Sequence, residues 1–266
     1  MLETGLANHS ALVTGGASGI GQSIVVALAS EGVRVRIADI RSSDETLEMV
    51  RAVGGSASAA EVDLRSEEQL EQAIIAAIGD LGGIDLFVNV AATYAAQAVT
   101  RVQADIWSDI LQTNVTACAL ACRRLARHMI ENGKGSILIV GATVVCAPSY
   151  EGAAYRASKT ALLSYAQTLA IELAPFGIRV NTLTPGPFPT RLTRDLPGEQ
   201  RGAAAREVPL GQREGQLPEV RSAALFLLSD ELASYITGVE VFVDGGLHLR
   251  PLYIGPQERV RELNLW

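Results

Sequence analysis

The sequence predicts an α/β protein: one doubly wound domain in which helices flank a parallel sheet of seven strands. Three observations lead there. Short apolar, β-branched runs alternate with stretches of helical spacing along most of the chain. The strand runs are nearly continuous in apolar residues, as expected of parallel strands covered on both faces. The connections are short, so repeated strand–helix units place helices on both sides of the sheet.

Strands are expected at residues 10–13, 33–38, 56–62, 84–89, 136–140, 178–183 and 239–243. The segment 20–30 keeps Ile24, Ala27 and Leu28 on one helical face. The helix over 66–79 opens on Ser66 with Gln69 three residues later, a capping-box pattern. Further helices are expected at 115–129 and 157–174, and Cys118 and Cys122 share an apolar face of the first. No Pro/Ser-rich linker or repeat divides the 266 residues, 48% of them hydrophobic, so a single core is expected. The longest apolar run, 137–147, is half the length of a membrane span. Residues 1–10 lack the basic start and apolar stretch of a signal peptide, so a cytoplasmic protein is expected.

Net charge is −7, from 29 acidic and 22 basic residues, with no Lys/Arg cluster. That argues against nucleic acid or an anionic membrane as partner. The three cysteines form no CxxC, and His9, His128 and His248 are scattered without metal-ligand spacing.

In such sheets ligands bind beyond the carboxyl ends of the strands, where strand order reverses. The first strand runs into Thr14-Gly15-Gly16-Ala17-Ser18-Gly19-Ile20-Gly21 and then a helix. Gly15 permits the tight turn, while Gly19 and Gly21 let the backbone approach a pyrophosphate and the helix pack on its strand. Ser18 and Ile20 complete that phosphate-facing loop, whose helix start favours negative charge. Asp39 ends the second strand 24 residues after Gly15, where a carboxylate accepts from ribose hydroxyls and repels a 2′-phosphate. NAD is therefore expected over NADP, although Arg41 nearby keeps NADP open.

Tyr155 and Lys159 are four apart in a helical stretch, so phenol and ammonium converge on one face. A positive charge at about 4 Å is worth roughly 4 kcal/mol at an effective dielectric of about 20, enough to lower a tyrosine pKa of about 10 by around three. Tyr155 is thereby expected to accept an alcohol proton as hydride leaves for a nicotinamide, and to return it in reverse.

Taken in order, TGGASGIG (14–21), Asp39, VDL (62–64), NVAA (89–92), Asn114, YRASK (155–159), NTLTPGPFPT (181–190) and VDGG (243–246) resemble the short-chain dehydrogenase/reductase family over residues 10–246. The resemblance implies a Rossmann-type domain over 1–246 with a substrate lid at 187–218, followed by a tail at 247–266. It implies an NAD-dependent enzyme acting on a medium-sized, partly apolar secondary alcohol or ketone. By resemblance, Asp63 and Leu64 border the adenine, Asn89 steadies the turn after the fourth strand, and Ala91 lies along the cofactor. Pro185, Gly186, Phe188 and Thr190 line the nicotinamide, with Thr190 on its carboxamide. Lys159 also holds the nicotinamide ribose, and Asn114 anchors a water-linked proton route through Lys159. Thr93, Tyr94, Val144, Tyr150 and Phe188 face substrate. Family members form homodimers or homotetramers, and the small residues on the helices near 115–129 and 157–173 suit such interfaces. Leu252, Tyr253, Ile254 and Trp266 of the tail are candidates for docking on a neighbouring subunit.

Two positions depart from the family pattern. Where the family has NNAG, this chain has Asn89-Val90-Ala91-Ala92, and Ala92 lacks the positive-φ freedom of glycine, so an adjusted loop is expected. The family's serine, 13 residues before the tyrosine, is Ala142. Losing such a donor costs roughly 10²–10³ in rate. Three readings stay open. Thr143 supplies the hydroxyl if a bulge or an early strand end turns it inward. A substrate group or Ser149 supplies it instead. Or the chain binds NAD with weak or no turnover, as a sensor or scaffold.

Overall fold

A computed structural model describes residues 3–146, 148–194, 202 and 204–249. Seven strands form one sheet: β1 (Ser10–Thr14), β2 (Arg34–Asp39), β3 (Ser56–Glu61), β4 (Leu86–Asn89), β5 (Gly135–Val140), β6 (Ile178–Pro185) and β7 (Glu240–Val243). Their order is β3-β2-β1-β4-β5-β6-β7, and every neighbouring pair is parallel. The chain runs outward from β1 to β3, then returns to place β4 against β1's other edge. A crevice therefore opens at the carboxyl ends of β1 and β4.

The helices are α1 (Gly19–Ser30), α2 (Asp44–Ala52), α3 (Glu67–Leu81), α4 (Ala104–Leu111), α5 (Ala117–Asn132), α6 (Ala153–Leu173), α7 (Arg191–Arg194), α8 (Leu217–Leu228) and α9 (Asp230–Ala233). Neighbouring strand residues feed opposite cores, because the side-chain period is two. Val13 joins Ile24 and Leu28 of α1 and Val220 and Leu227 of α8. Leu12 joins Ile74 of α3, Leu125 of α5 and Leu162 of α6. Cys118 and Cys122 are buried in this second core, on the shared apolar face expected of them.

Local differences from the expected elements have local causes. The Ser66 hydroxyl caps α3 by accepting from the Gln69 N–H at 3.3 Å, but the Gln69 side chain accepts from the Asp63 N–H at 3.0 Å rather than closing a capping box. Helix α6 begins at Ala153, four residues before the expected start, so Tyr155 lies within its first turn. Outside glycine, positive φ occurs only at Asn8, Glu151 and Gln212 among the described residues, so Ala92 adopts no glycine-like backbone. A π-helical segment, Gln112–Thr116, joins α4 to α5.

Among the described residues no helix is long and apolar enough to cross a membrane. Residues 195–201 of the expected lid and the tail residues Leu252, Tyr253, Ile254 and Trp266 lie outside the described residues.

Candidate active site

The glycine loop begins where β1 stops. The Gly15 N–H donates to the Ala38 carbonyl at 3.0 Å, and Gly15 adopts φ +74°. A Cβ on Gly15 would stand 2.6 Å from the Ala91 nitrogen, so this turn closes on the β4 exit only because no side chain intervenes. A Cβ on Gly21 would collide with the Gly15 carbonyl oxygen, which is why α1 packs directly under the turn. Gly19 takes φ +60°, and a Cβ there would meet Thr190 across the crevice at 3.3 Å. At the N-cap of α1, Ser18 makes no side-chain capping hydrogen bond. Together these features form a backbone cradle of the shape a dinucleotide pyrophosphate requires.

Asp39 is tied into the loop. One carboxylate oxygen accepts from the Ala17 N–H at 3.0 Å, and the other from the Arg41 N–H at 3.1 Å. Farther along, Arg65 grips the Asp63 carboxylate with its Nε at 3.0 Å and Nη2 at 2.8 Å, and holds that carboxyl below its ordinary range. Arg65 also lies 3.6 Å from Asp109 on α4.

Gly15, Ser18, Gly19, Asp39, Arg41, Asp63, Arg65 and Asp109 open onto one cleft of about 570 Å³. Gly15, Ser18, Gly19, Ile20, Asp39, Asp63, Leu64 and Ala91 line it together with Tyr94, Ala142, Tyr155, Lys159, Pro185, Gly186, Phe188 and Thr190. Asn89 sits below the surface, its side-chain oxygen accepting from the Thr14 hydroxyl at 3.1 Å. Gly21 lies one turn in, against Gly15.

Helix α6 carries Tyr155 and Lys159. Lys159 is 2% exposed, and its ammonium donates to the Val140 carbonyl at 2.8 Å. Nζ stands over the Tyr155 ring, 5.7 Å from its centroid. Burial lowers the Lys159 pKa to about 8. Burial, with a smaller contribution from Tyr94, pushes the Tyr155 phenol above its ordinary value. This corrects the expectation drawn from spacing alone: in the protein by itself, desolvation governs the phenol, while the Lys159 ammonium is directed at the Val140 carbonyl.

Asn114, fully buried in the π-helical segment, clasps the loop after β4. Its Oδ1 accepts from the Thr93 N–H at 2.7 Å, and its Nδ2 donates to the Thr93 carbonyl at 3.0 Å and the Ser158 hydroxyl at 2.9 Å. Its side chain is thus committed to bracing the site.

Besides Gly21, Asn89 and Asn114, which do not line the cleft, three expected residues on the segment after β5 are not brought to it. Thr143 opens a 3₁₀ turn over Thr143–Val145 and is 5% exposed, its hydroxyl donating to the Pro185 carbonyl at 2.9 Å. That turn carries it towards β6, where its hydroxyl is taken by the Pro185 carbonyl, and it does not replace the missing serine. Tyr150 is 98% exposed, carried outward on the loop before α6. Val144 does not line the cleft, and its carbonyl accepts from the Arg156 guanidinium at 3.0 Å. Ser149, the other hydroxyl considered, is exposed. Conversely, Arg65, Asp109 and Thr113 line the cleft without having been expected there. Of these, Arg65, two residues after Asp63, had a local signal that could have marked it.

Comparison with known proteins gives a consistent picture. A family model described as Enoyl-(Acyl carrier protein) reductase matches residues 15–248. The chain is 34% identical over 239 residues to a 3-oxoacyl-(acyl-carrier-protein) reductase of Vibrio cholerae, covering 90% of this chain and 97% of that protein. It is also 34% identical over 253 residues to 3beta-hydroxysteroid dehydrogenase 1 of Eggerthella lenta, covering 92% and 96%. Its fold matches the crystal structure of a short-chain type dehydrogenase/reductase from Mycobacterium marinum with a TM-score of 0.87, at 30% identity over 92% of this chain and 97% of that one.

Proposed function

The chain belongs to the short-chain dehydrogenase/reductase family and is an oxidoreductase; from that premise we propose that it interconverts a secondary alcohol and its ketone with NAD as hydride carrier. One observation carries the reading: Tyr155 and Lys159 open onto the same cleft as the glycine loop and Asp39.

In this reading the backbone N–H groups of the glycine loop and the start of α1 hold the pyrophosphate. Asp39 accepts from the adenosine ribose hydroxyls, and its charge disfavours a 2′-phosphate. Asp63 and Leu64 border the adenine, while Pro185, Gly186, Phe188 and Thr190 hold the nicotinamide end. When bound, the oxidised nicotinamide supplies the hydride acceptor and a positive charge in the cleft. Tyr155 exchanges the proton at its phenolic oxygen with the substrate oxygen, and Lys159 holds positive charge over its ring. Asn114 fixes the loop that bears Tyr94 on the substrate side.

The rival reading, a dinucleotide-binding protein without turnover, rests on Ala142 alone. Against it stand an intact Tyr155–Lys159 pair and relatives that are a reductase and a dehydrogenase along nearly their whole length.

The test is NAD reduction across a panel of secondary alcohols, with binding followed by calorimetry. Tyr155→Phe should lower turnover by about 10²–10⁴ while NAD affinity stays the same. NAD should bind more tightly than NADP, and Asp39→Asn should narrow the gap. Undiminished turnover in Tyr155→Phe would overturn the catalytic assignment, and tighter binding of NADP the cofactor preference.

A further inference from the structure

Around Tyr155 the cleft wall offers little hydrogen bonding from its fifth strand. At Ala142 it presents a methyl group, and the Thr143 hydroxyl is spent on the Pro185 carbonyl. What meets the Tyr155 ring is another phenol. Tyr94 packs against it nearly perpendicularly, with ring centroids 5.5 Å apart and planes at 86°. That arrangement is attractive because the positive edge of one ring meets the negative face of the other.

The contact joins residues 61 positions apart, and a chain of hydrogen bonds fixes it. Next to Tyr94, both the N–H and the carbonyl of Thr93 are held by the Asn114 side chain. The same amide donates to the Ser158 hydroxyl, which donates to the Tyr155 carbonyl at 2.7 Å. Asn114 and Ser158 are both 0% exposed. The brace thus starts one residue from Tyr94 and ends on Tyr155's own backbone. The Asn114–Ser158 link at its centre is buried, so breaking it would leave a polar group without water.

We propose that Tyr94 is a positioning residue for Tyr155: its ring holds the phenol in one orientation and keeps water off it, with the Asn114–Ser158 brace setting the separation of the two rings. The proposal rests on the reading of Tyr155 as the proton-exchanging group. Tyr94 acts through a ring contact, so its hydroxyl is secondary and its aromatic body is what matters. The titratable groups around the pair are Lys159 over the Tyr155 ring, Glu151 near Tyr94, and Cys118 near Lys159.

Three variants test this: Tyr94→Ala, Tyr94→Leu and Tyr94→Phe. Removing the ring in the first two should lower kcat by about tenfold, the rate factor a ring pair of this kind can control, with the KM for NAD unchanged. Tyr94→Phe keeps the ring and should restore kcat to near the wild-type value. A second readout needs no turnover. The phenolate absorbance of each variant is titrated with and without Tyr155→Phe, which isolates the Tyr155 signal. Loss of the Tyr94 ring admits water, so Tyr155 should titrate closer to the ordinary tyrosine value of about 10, and Tyr94→Phe should reverse most of that shift. If Tyr94→Ala fails to fold, Tyr94→Leu, which fills the volume without an aromatic ring, carries the comparison. The proposal falls if both ring-free variants match wild type in kcat and titration, or if Tyr94→Phe is as impaired as they are. Undiminished turnover in Tyr155→Phe alone would instead remove the underlying reading, and the titrations would still decide whether Tyr94 shields that phenol.

Discussion

Among single residues, Lys159 shows most directly how burial changes a group's chemistry. Its amine is lowered to about 8 against an ordinary 10.5, because water has been replaced by protein and one carbonyl. The sign of the consequence follows from proton counting. Between pH 8 and pH 10 the unfolded chain keeps this proton while the folded protein releases it, so raising the pH favours the fold. Tyr155, shifted upward, opposes this above the ordinary tyrosine range, and the Cys122 and Cys146 thiols, also pushed up by their surroundings, oppose it within the window, so the Lys159 contribution is read against a variant that keeps all three. Relative to Lys159→Met, the wild type should therefore gain up to about 3 kcal/mol of stability between pH 7.5 and pH 10. Urea midpoints of both proteins at the two pH values measure it, and a constant difference would show that the amine is not desolvated. The YxxxK spacing made this pair legible from sequence. It said nothing of the Val140 carbonyl that takes the ammonium's hydrogen bond, because that carbonyl lies 19 residues away on another element.

At the scale of the element, the turn between β1 and α1 is where sequence and structure agree most closely. The pattern of spaced glycines was readable because its constraint is local: positive φ at Gly15 and Gly19, and no room for a Cβ at Gly21. Gly15→Ala would need both a left-handed backbone and a Cβ 2.6 Å from the Ala91 nitrogen. It should cost on the order of 3 kcal/mol and weaken dinucleotide binding, measured by urea denaturation and calorimetry. Wild-type values on both counts would mean that the turn is not held by this approach. The 3₁₀ turn after β5 decided the fate of Thr143. Ala142 lines the cleft while the turn commits the Thr143 hydroxyl to the Pro185 carbonyl at the end of β6, so the hydroxyl one residue along cannot serve. The outward course of the segment bearing Tyr150, by contrast, follows from no local pattern in the sequence.

Across the whole molecule, the sheet is locked to its flanking helices by polar as well as apolar contacts. Arg179, on β6 and 7% exposed, donates to the Leu227 carbonyl at 2.6 Å and the Leu228 carbonyl at 3.0 Å, and pairs with Asp230 at 2.8 Å. It satisfies the last carbonyls of α8 with a cation, where the helix dipole favours one. Arg179→Met should orphan those carbonyls and cost about 3 kcal/mol, lowering Tm by several degrees in a scanning calorimeter. An unchanged Tm would show that water replaces the guanidinium at no cost. By itself the sequence determined the α/β class, the parallel sheet, the glycine cradle, Asp39 at the end of β2 and the Tyr155–Lys159 pair. Each of these is written in periodicity or in neighbouring residues. Only the tertiary structure decided that Asn114 braces the Tyr94 loop to α6, that Arg65 claims Asp63, that Thr143 turns away, and that the phenol is raised rather than lowered. Those outcomes depend on which distant surfaces meet and how much water they exclude, and neither quantity is encoded in the spacing of residues along the chain.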